Sequence, residues 1–173
     1  MSELQFREGQ LVAYGANGVC VVDEIKKMKL MPDMAPEMYY ILKTIRDDAS
    51  KVFVPVNNSR LVSRMRDVMN EDQLRSMIST TQIDEMSWND NRRERADEFH
   101  DIIGEGVSGK LLSMVYCLHK RKESLMDAGK KLPVTDSNAL KTAERLLEDE
   151  ISCVMHIEEK DVYDFIRGII GSR

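Results

Sequence analysis

Gly104-Glu105-Gly106-Val107-Ser108-Gly109-Lys110 has the outline G-x-x-x-x-G-K of a loop that cradles phosphates with its backbone N–H groups. That chemistry needs a Ser or Thr after the lysine to hold magnesium, and a strand leading into the loop. Leu111 follows the lysine, and the residues before Gly104 have helical character. The segment is therefore expected to join two helices, with Ser108 as N-cap of the second. Cys117-Leu118-His119 and Cys153-Val154-Met155-His156 offer soft metal donors. Residues i and i+2 of a helix point in nearly opposite directions, so Cys117 and His119 cannot easily share one ion. Cysteines used as small hydrophobes are far commoner, and no metal is expected. His100, His119 and His156 lie in helical stretches without a neighbouring nucleophile motif. Neither an enzymatic activity nor a cofactor is expected.

Trp88, the only tryptophan, sits in the polar stretch Glu85-Met86-Ser87-Trp88-Asn89-Asp90-Asn91 and belongs to no apolar stripe. A large indole in such a place is either a plug in a helical core or an exposed contact, and burial is its commoner fate. Arg92, Arg93 and Arg95 follow at once. An aromatic wedge beside guanidinium groups could unstack a base step in a minor groove and hold the flanking phosphates.

These residues depend on two kinds of element. The first part reads as short strands: Gln10–Tyr14, Val19–Leu30, Met38–Arg46, Lys51–Val56 and Leu61–Arg64. Turn chemistry separates them at Gly15-Ala16-Asn17-Gly18, where Asn-Gly suits positive φ, at Met31–Pro36, at Asp47–Ser50 and at Asn57–Ser59. Pro55 confines its strand to an edge or a terminus. Several short strands in so few residues suggest a small, strongly bent barrel. From Asn70 the period changes from two to 3.6. Asn70 and Gln73 have the spacing of an N-cap with a returning side chain, and Leu74, Met77 and Ile78 follow on one face. Helices are expected over Arg92–Ile103, stopped at Gly104-Glu105-Gly106, from Ser108, from Thr135 or Asp136, and over Glu158–Ile170. Leu111, Val115 and Leu118, and then Leu140, Ala143, Leu147, Ile151 and Val154, mark their buried faces. The fold class is thus α+β, with a β domain over 1–66 and an all-α domain over 67–173.

Charge narrows the function. The 173 residues carry a net −5, with 42% hydrophobic and 32% charged residues. Residues 1–66 hold 10 basic and 8 acidic residues (+2), whereas 67–173 hold 15 and 22 (−7). The 144–164 stretch alone has eight carboxylates. Binding to nucleic acid replaces counterions with Lys and Arg, so a DNA contact is expected only as a local patch. No stretch approaches the roughly 18 apolar residues of a membrane span, and no leader is readable in MSELQFREGQ. Three scattered cysteines argue for a reducing interior. A cytoplasmic monomer is expected.

Phe6-Arg7-Glu8-Gly9-Gln10-Leu11-Val12-Ala13-Tyr14-Gly15, with Gly18-Val19, Val22-Asp23-Glu24-Ile25, Tyr39-Tyr40-Ile41-Leu42 and Val54-Pro55-Val56, resembles the CarD/CdnL family of bacterial transcription regulators. The resemblance resumes at Trp88 with its following basic residues, at Gly106 through Lys110-Leu111, and at Ala143-Glu144-Arg145-Leu146-Leu147. It implies a Tudor-like barrel that docks on the RNA polymerase β subunit, a module shared with transcription-repair coupling factors. It also implies a helical domain that reaches the upstream edge of the promoter bubble. Trp88 would wedge into the minor groove, with Arg92, Arg93 and Lys110 on the backbone. Positions where some members carry polymerase-contacting arginines hold Met28 and Phe53, which implies a more apolar contact. The alternative is an adaptor whose helical domain binds another protein instead of DNA.

Overall fold

The computed structural model describes residues 3–172 and divides into two compact units between Val68 and Met69. The first unit is a five-stranded antiparallel sheet of β1 (Leu11–Tyr14), β2 (Val19–Met28), β3 (Glu37–Thr44), β4 (Lys51–Pro55) and β5 (Met65–Asp67), in the order β4-β3-β2-β1-β5. Alternation along the strands sends Val12, Val22, Tyr40, Leu42 and Val54 to one face. There they pack with Phe6, Val62 and Met65. The Phe6 ring meets Tyr40 edge-on at 5.9 Å, and the Tyr40 hydroxyl accepts the Gln5 N–H at 3.0 Å, which holds the chain entering β1 against the core. The β2–β3 register shifts between Val22 and Glu24. Asp23 stands at this bulge and pairs with Lys43 at 3.1 Å and Lys51 at 3.8 Å, linking β2 to β3 and β4.

Three expectations for this unit change. The turn between β1 and β2 is a 3-10 turn over Gly15–Asn17, with positive φ at Gly15 (48°) and Gly18 (71°) and not at Asn17. The two glycines alone carry the left-handed geometry, since it costs them nothing. The anticipated Tudor-like barrel meets an open sheet, in which β4 and β5 form the two edges and do not pair with each other among the described residues. The stretch expected as a strand over 61–64 begins instead within α1 (Ser59–Val62). The Asn58 side chain accepts the Leu61 N–H at 3.1 Å, a cap that starts a helical turn where a strand would have to begin. What remains for β5 is only three residues, too few to reach both β1 and β4.

The second unit is all helical: α2 (Glu71–Thr80), α3 (Arg92–Glu105), α4 (Ser108–Asp127), α5 (Val134–Met155) and α6 (Val162–Gly171). Asn70 and Gln73 form the reciprocal capping box anticipated from their spacing. Gly106 ends α3 in the left-handed region at φ 65°. Leu74, Ile78, Phe99, Leu111, Met114, Leu118, Leu140, Leu147, Ile151 and Ile166 make one continuous core. One expected cap is absent. Val107, not Ser108, is the N-cap of α4, and the Ser108 hydroxyl donates inward to the buried Glu150 carboxylate at 2.5 Å. Pro133 precedes α5 with no side-chain cap, while Asp136 is buried and faces Arg95. A carboxylate that satisfies a buried partner outweighs one that only caps a solvated helix end. Among the described residues no helix is long and apolar enough to cross a membrane.

Candidate nucleic-acid interface

The chain leaves α2 at Thr80 and crosses an irregular stretch before Asn91 starts α3. The Asn91 side chain accepts the N–H groups of Arg93 (3.1 Å) and Glu94 (3.3 Å). Arg92 and Arg93 therefore occupy the first turn of α3, where the positive end of the helix dipole disfavours cations. Both are exposed. Glu94 offsets part of this, accepting the side-chain amides of Asn89 (3.2 Å) and Asn91 (3.0 Å).

Trp88 is partly buried against the helical core. The guanidinium carbons of Arg95 and Arg121 lie 4.1 and 5.1 Å from its ring centre. Arg95 is only 4% exposed. Its Nε and Nη2 donate to the two carboxylate oxygens of Asp136, and its Nη1 donates to the Asn89 carbonyl at 2.7 Å. One side chain thus ties α3 to α5 and pins the irregular stretch beside the indole. Arg95 was grouped with Arg92 and Arg93 as a phosphate contact; the structure assigns it to the core, since all three of its hydrogen bonds stay inside the unit. Its spacing to Phe99 and Ile102, both buried, is the i, i+4, i+7 pattern of an inward face and was the signal available in the sequence.

Lys110 stands in the first turn of α4, exposed, with its Nζ 2.5 Å from Glu105 at the end of α3. Trp88 and Lys110 border one open groove; Arg92 and Arg93 are not among its lining residues. The same groove is lined by Glu85, Asp90, Glu94, Asp97, Glu98 and Asp101.

The other candidate chemistry finds no assembly. Gly104–Lys110 runs from the end of α3 into the start of α4, without a strand before it. Cys117 is buried and Cys153 partly so. Burial pushes both thiols up, assisted by Glu98 at Cys117 and by Glu150 at Cys153, which keeps them protonated and poor metal ligands. His119 turns to Glu144 at 2.6 Å and lies edge-on to Tyr163. No group of three His, Cys, Asp or Glu side chains is placed to hold a metal among the described residues.

On the sheet unit, Phe53 pairs across with Ile41, and Met28 with Glu37. Glu37, Tyr39 and Ile41 alternate along β3, so Met28 and Phe53 lie on one face, opposite the core, on the strands flanking β3. Phe53 is 36% exposed, and its edge strand β4 is unpaired on its outer side among the described residues.

Residues 6–69 match the CarD-like/TRCF RID domain, the RNA polymerase interaction domain, a span that covers the five strands and ends just before α2. That match supports an RNA polymerase-interacting role. No curated protein matches the chain.

Proposed function

We propose that this chain is a transcription regulator held on the RNA polymerase β subunit by its CarD-like/TRCF RID domain, and that its helical unit stabilises the promoter open complex. The polymerase contact uses the face that carries Met28 and Phe53 together with the free edge of β4, which can accept a further strand. The DNA contact uses the exposed part of Trp88 as a minor-groove wedge at the upstream edge of the bubble, with Arg92 and Arg93 on the adjacent phosphates. Lys110 joins them by exchanging Glu105 for a phosphate; an exposed ion pair of this kind is worth only about 0–1 kcal/mol.

The observation that carries the reading is an RNA polymerase interaction domain followed by a partly exposed tryptophan and, at the start of the next helix, two exposed arginines set against its dipole. Net charge of the helical half is no obstacle. A protein delivered as a monomer by its polymerase anchor works at high effective concentration, so a weak local contact suffices. The test is the lifetime of open complexes formed by purified polymerase with the full chain. Trp88→Ala should shorten it while polymerase binding is retained, and an unchanged lifetime refutes the wedge.

A second reading is favoured by the carboxylates beside Trp88. In it, the chain is an adaptor that also binds RNA polymerase, and its helical unit engages a protein instead of DNA. Crosslinking from position 88 into the upstream bubble edge separates the two.

A further inference from the structure

We infer that the groove bordered by Trp88 is a docking site for a Lys/Arg-rich protein segment. Its apolar part comes from Met86, Trp88, Ile102 and Val107, the last 43% exposed. Its volume of 1560 Å³ exceeds the roughly 300–1,000 Å³ of pockets built for small molecules and suits a stretch of polypeptide. Charge specifies the occupant. Glu94, Asp97, Glu98 and Asp101 are spaced i, i+3, i+4, i+7 and form one face of α3, while Glu85 and Asp90 add two carboxylates from the preceding stretch. Lys110 is the only Lys or Arg lining the groove, and Glu105 already neutralises it. Asp97, Glu98 and Asp101 have no ion-pair partner among the described residues.

The like-charge pairs Glu94/Glu98 and Asp97/Asp101 weaken α3 in the free protein. A cationic segment relieves that repulsion, lays its aliphatic stems along the apolar part and places its charges on the rim. A phosphate backbone would meet a field of its own sign at the α3 carboxylates, so they take no part in the DNA contact proposed above. Trp88 and Lys110 border the groove and serve that contact too, and the inference rests on the α3 carboxylates, deepening the second reading in which the helical unit engages a protein.

The full chain is titrated with a short fluorescein-labelled peptide of alternating Lys, Arg and Leu, with anisotropy as the readout. Trp88 emission should change on saturation, since the only tryptophan borders the site. The triple variant D97N/E98Q/D101N should bind about tenfold more weakly or worse, while the control E123Q/D127N, exposed on α4 away from the groove, binds as the parent does. Two results overturn the proposal: no binding by the parent chain, or equal weakening in triple variant and control. Removing like charges from an exposed helix face leaves the fold intact, and a melting temperature at or above that of the parent checks this.

Discussion

The Arg95 guanidinium carbon lies 4.1 Å from the centre of the Trp88 ring while its Nε and Nη2 hold both carboxylate oxygens of Asp136, 41 residues away on α5, at 3.1 and 2.8 Å. The position of the indole is therefore set by a buried ion pair. Arg95 and Asp136 are 4% and 2% exposed, so each would be left as an uncompensated charge without the other. Asp136→Ala should cost about 3–5 kcal/mol, the usual penalty for breaking a buried pair from one side. Urea unfolding followed by Trp88 emission measures it directly, because the only tryptophan reports the helical unit. Arg95→Lys keeps the charge but loses the planar fork, and should red-shift the native emission as the indole loosens. A midpoint unmoved by Asp136→Ala would mean that the pair contributes nothing.

Ser108 distinguishes a cap from a core hydrogen bond. Its hydroxyl donates to Glu150, which is 2% exposed and also accepts the Met69 N–H at 3.4 Å. Ser108→Ala should cost about 1–3 kcal/mol, since a buried acceptor loses a donor. Ser108→Asp separates the two roles. At an N-cap it would be neutral, but here it sets a second carboxylate against Glu150 and should destabilise more than alanine does. Thermal unfolding of the two variants gives the order.

The order of the elements was legible because the apolar period changes from two to 3.6 at Asn70, and because local rules govern features such as the Asn70–Gln73 box and the Gly106 stop. What was not legible depends on partners far along the chain. Nothing near Asp136 says that its carboxylate faces Arg95, 41 residues away. Closure of the sheet failed for a local reason that was present but ambiguous: Asn58 can introduce either a turn or a helix, and it starts α1. In the candidate site, Trp88 and Lys110 border one groove, whereas Arg92 and Arg93 are not among its lining residues. Arg95 turns inward, as its spacing to Phe99 and Ile102 permits. Within the acidic 144–164 stretch, Asp149 and Glu150 are buried, while exposed carboxylates cluster on one face of α3.

Tyr163 supplies a pH dependence. Burial, and then the Glu144 and Glu148 carboxylates, push its phenol well above its ordinary range. A pKa raised in the folded state means that the native protein binds the proton more tightly than the unfolded chain. The associated stability is fully present below the unfolded value of about 10 and is lost as pH rises beyond it. Unfolding midpoints of the helical unit should fall from about pH 10 upward, and Tyr163→Phe should flatten that fall. An alkaline profile unchanged by Tyr163→Phe would place the effect elsewhere.

Phe53 and Val54 are neighbours on an edge strand, and alternation gives them opposite tasks. Val54 is fully buried in the sheet core, whereas Phe53 is 36% exposed on the face it shares with Met28. Val54→Asp would place an unpaired carboxylate among Val22, Tyr40 and Leu42. It should cost on the order of 4 kcal/mol or more and unfold the sheet unit, seen as loss of its β-type circular dichroism. Phe53→Asp keeps its charge in water and should leave both spectrum and melting temperature within the narrow range of surface substitutions, about ±0.5 kcal/mol. It should nevertheless abolish co-purification of the full chain with RNA polymerase, because an apolar contact would then bury an unmatched charge. Retained binding by a folded Phe53→Asp protein would move the polymerase contact off this face. Loss of binding only in variants that also lose their fold would leave Phe53 with no more than a place on the surface.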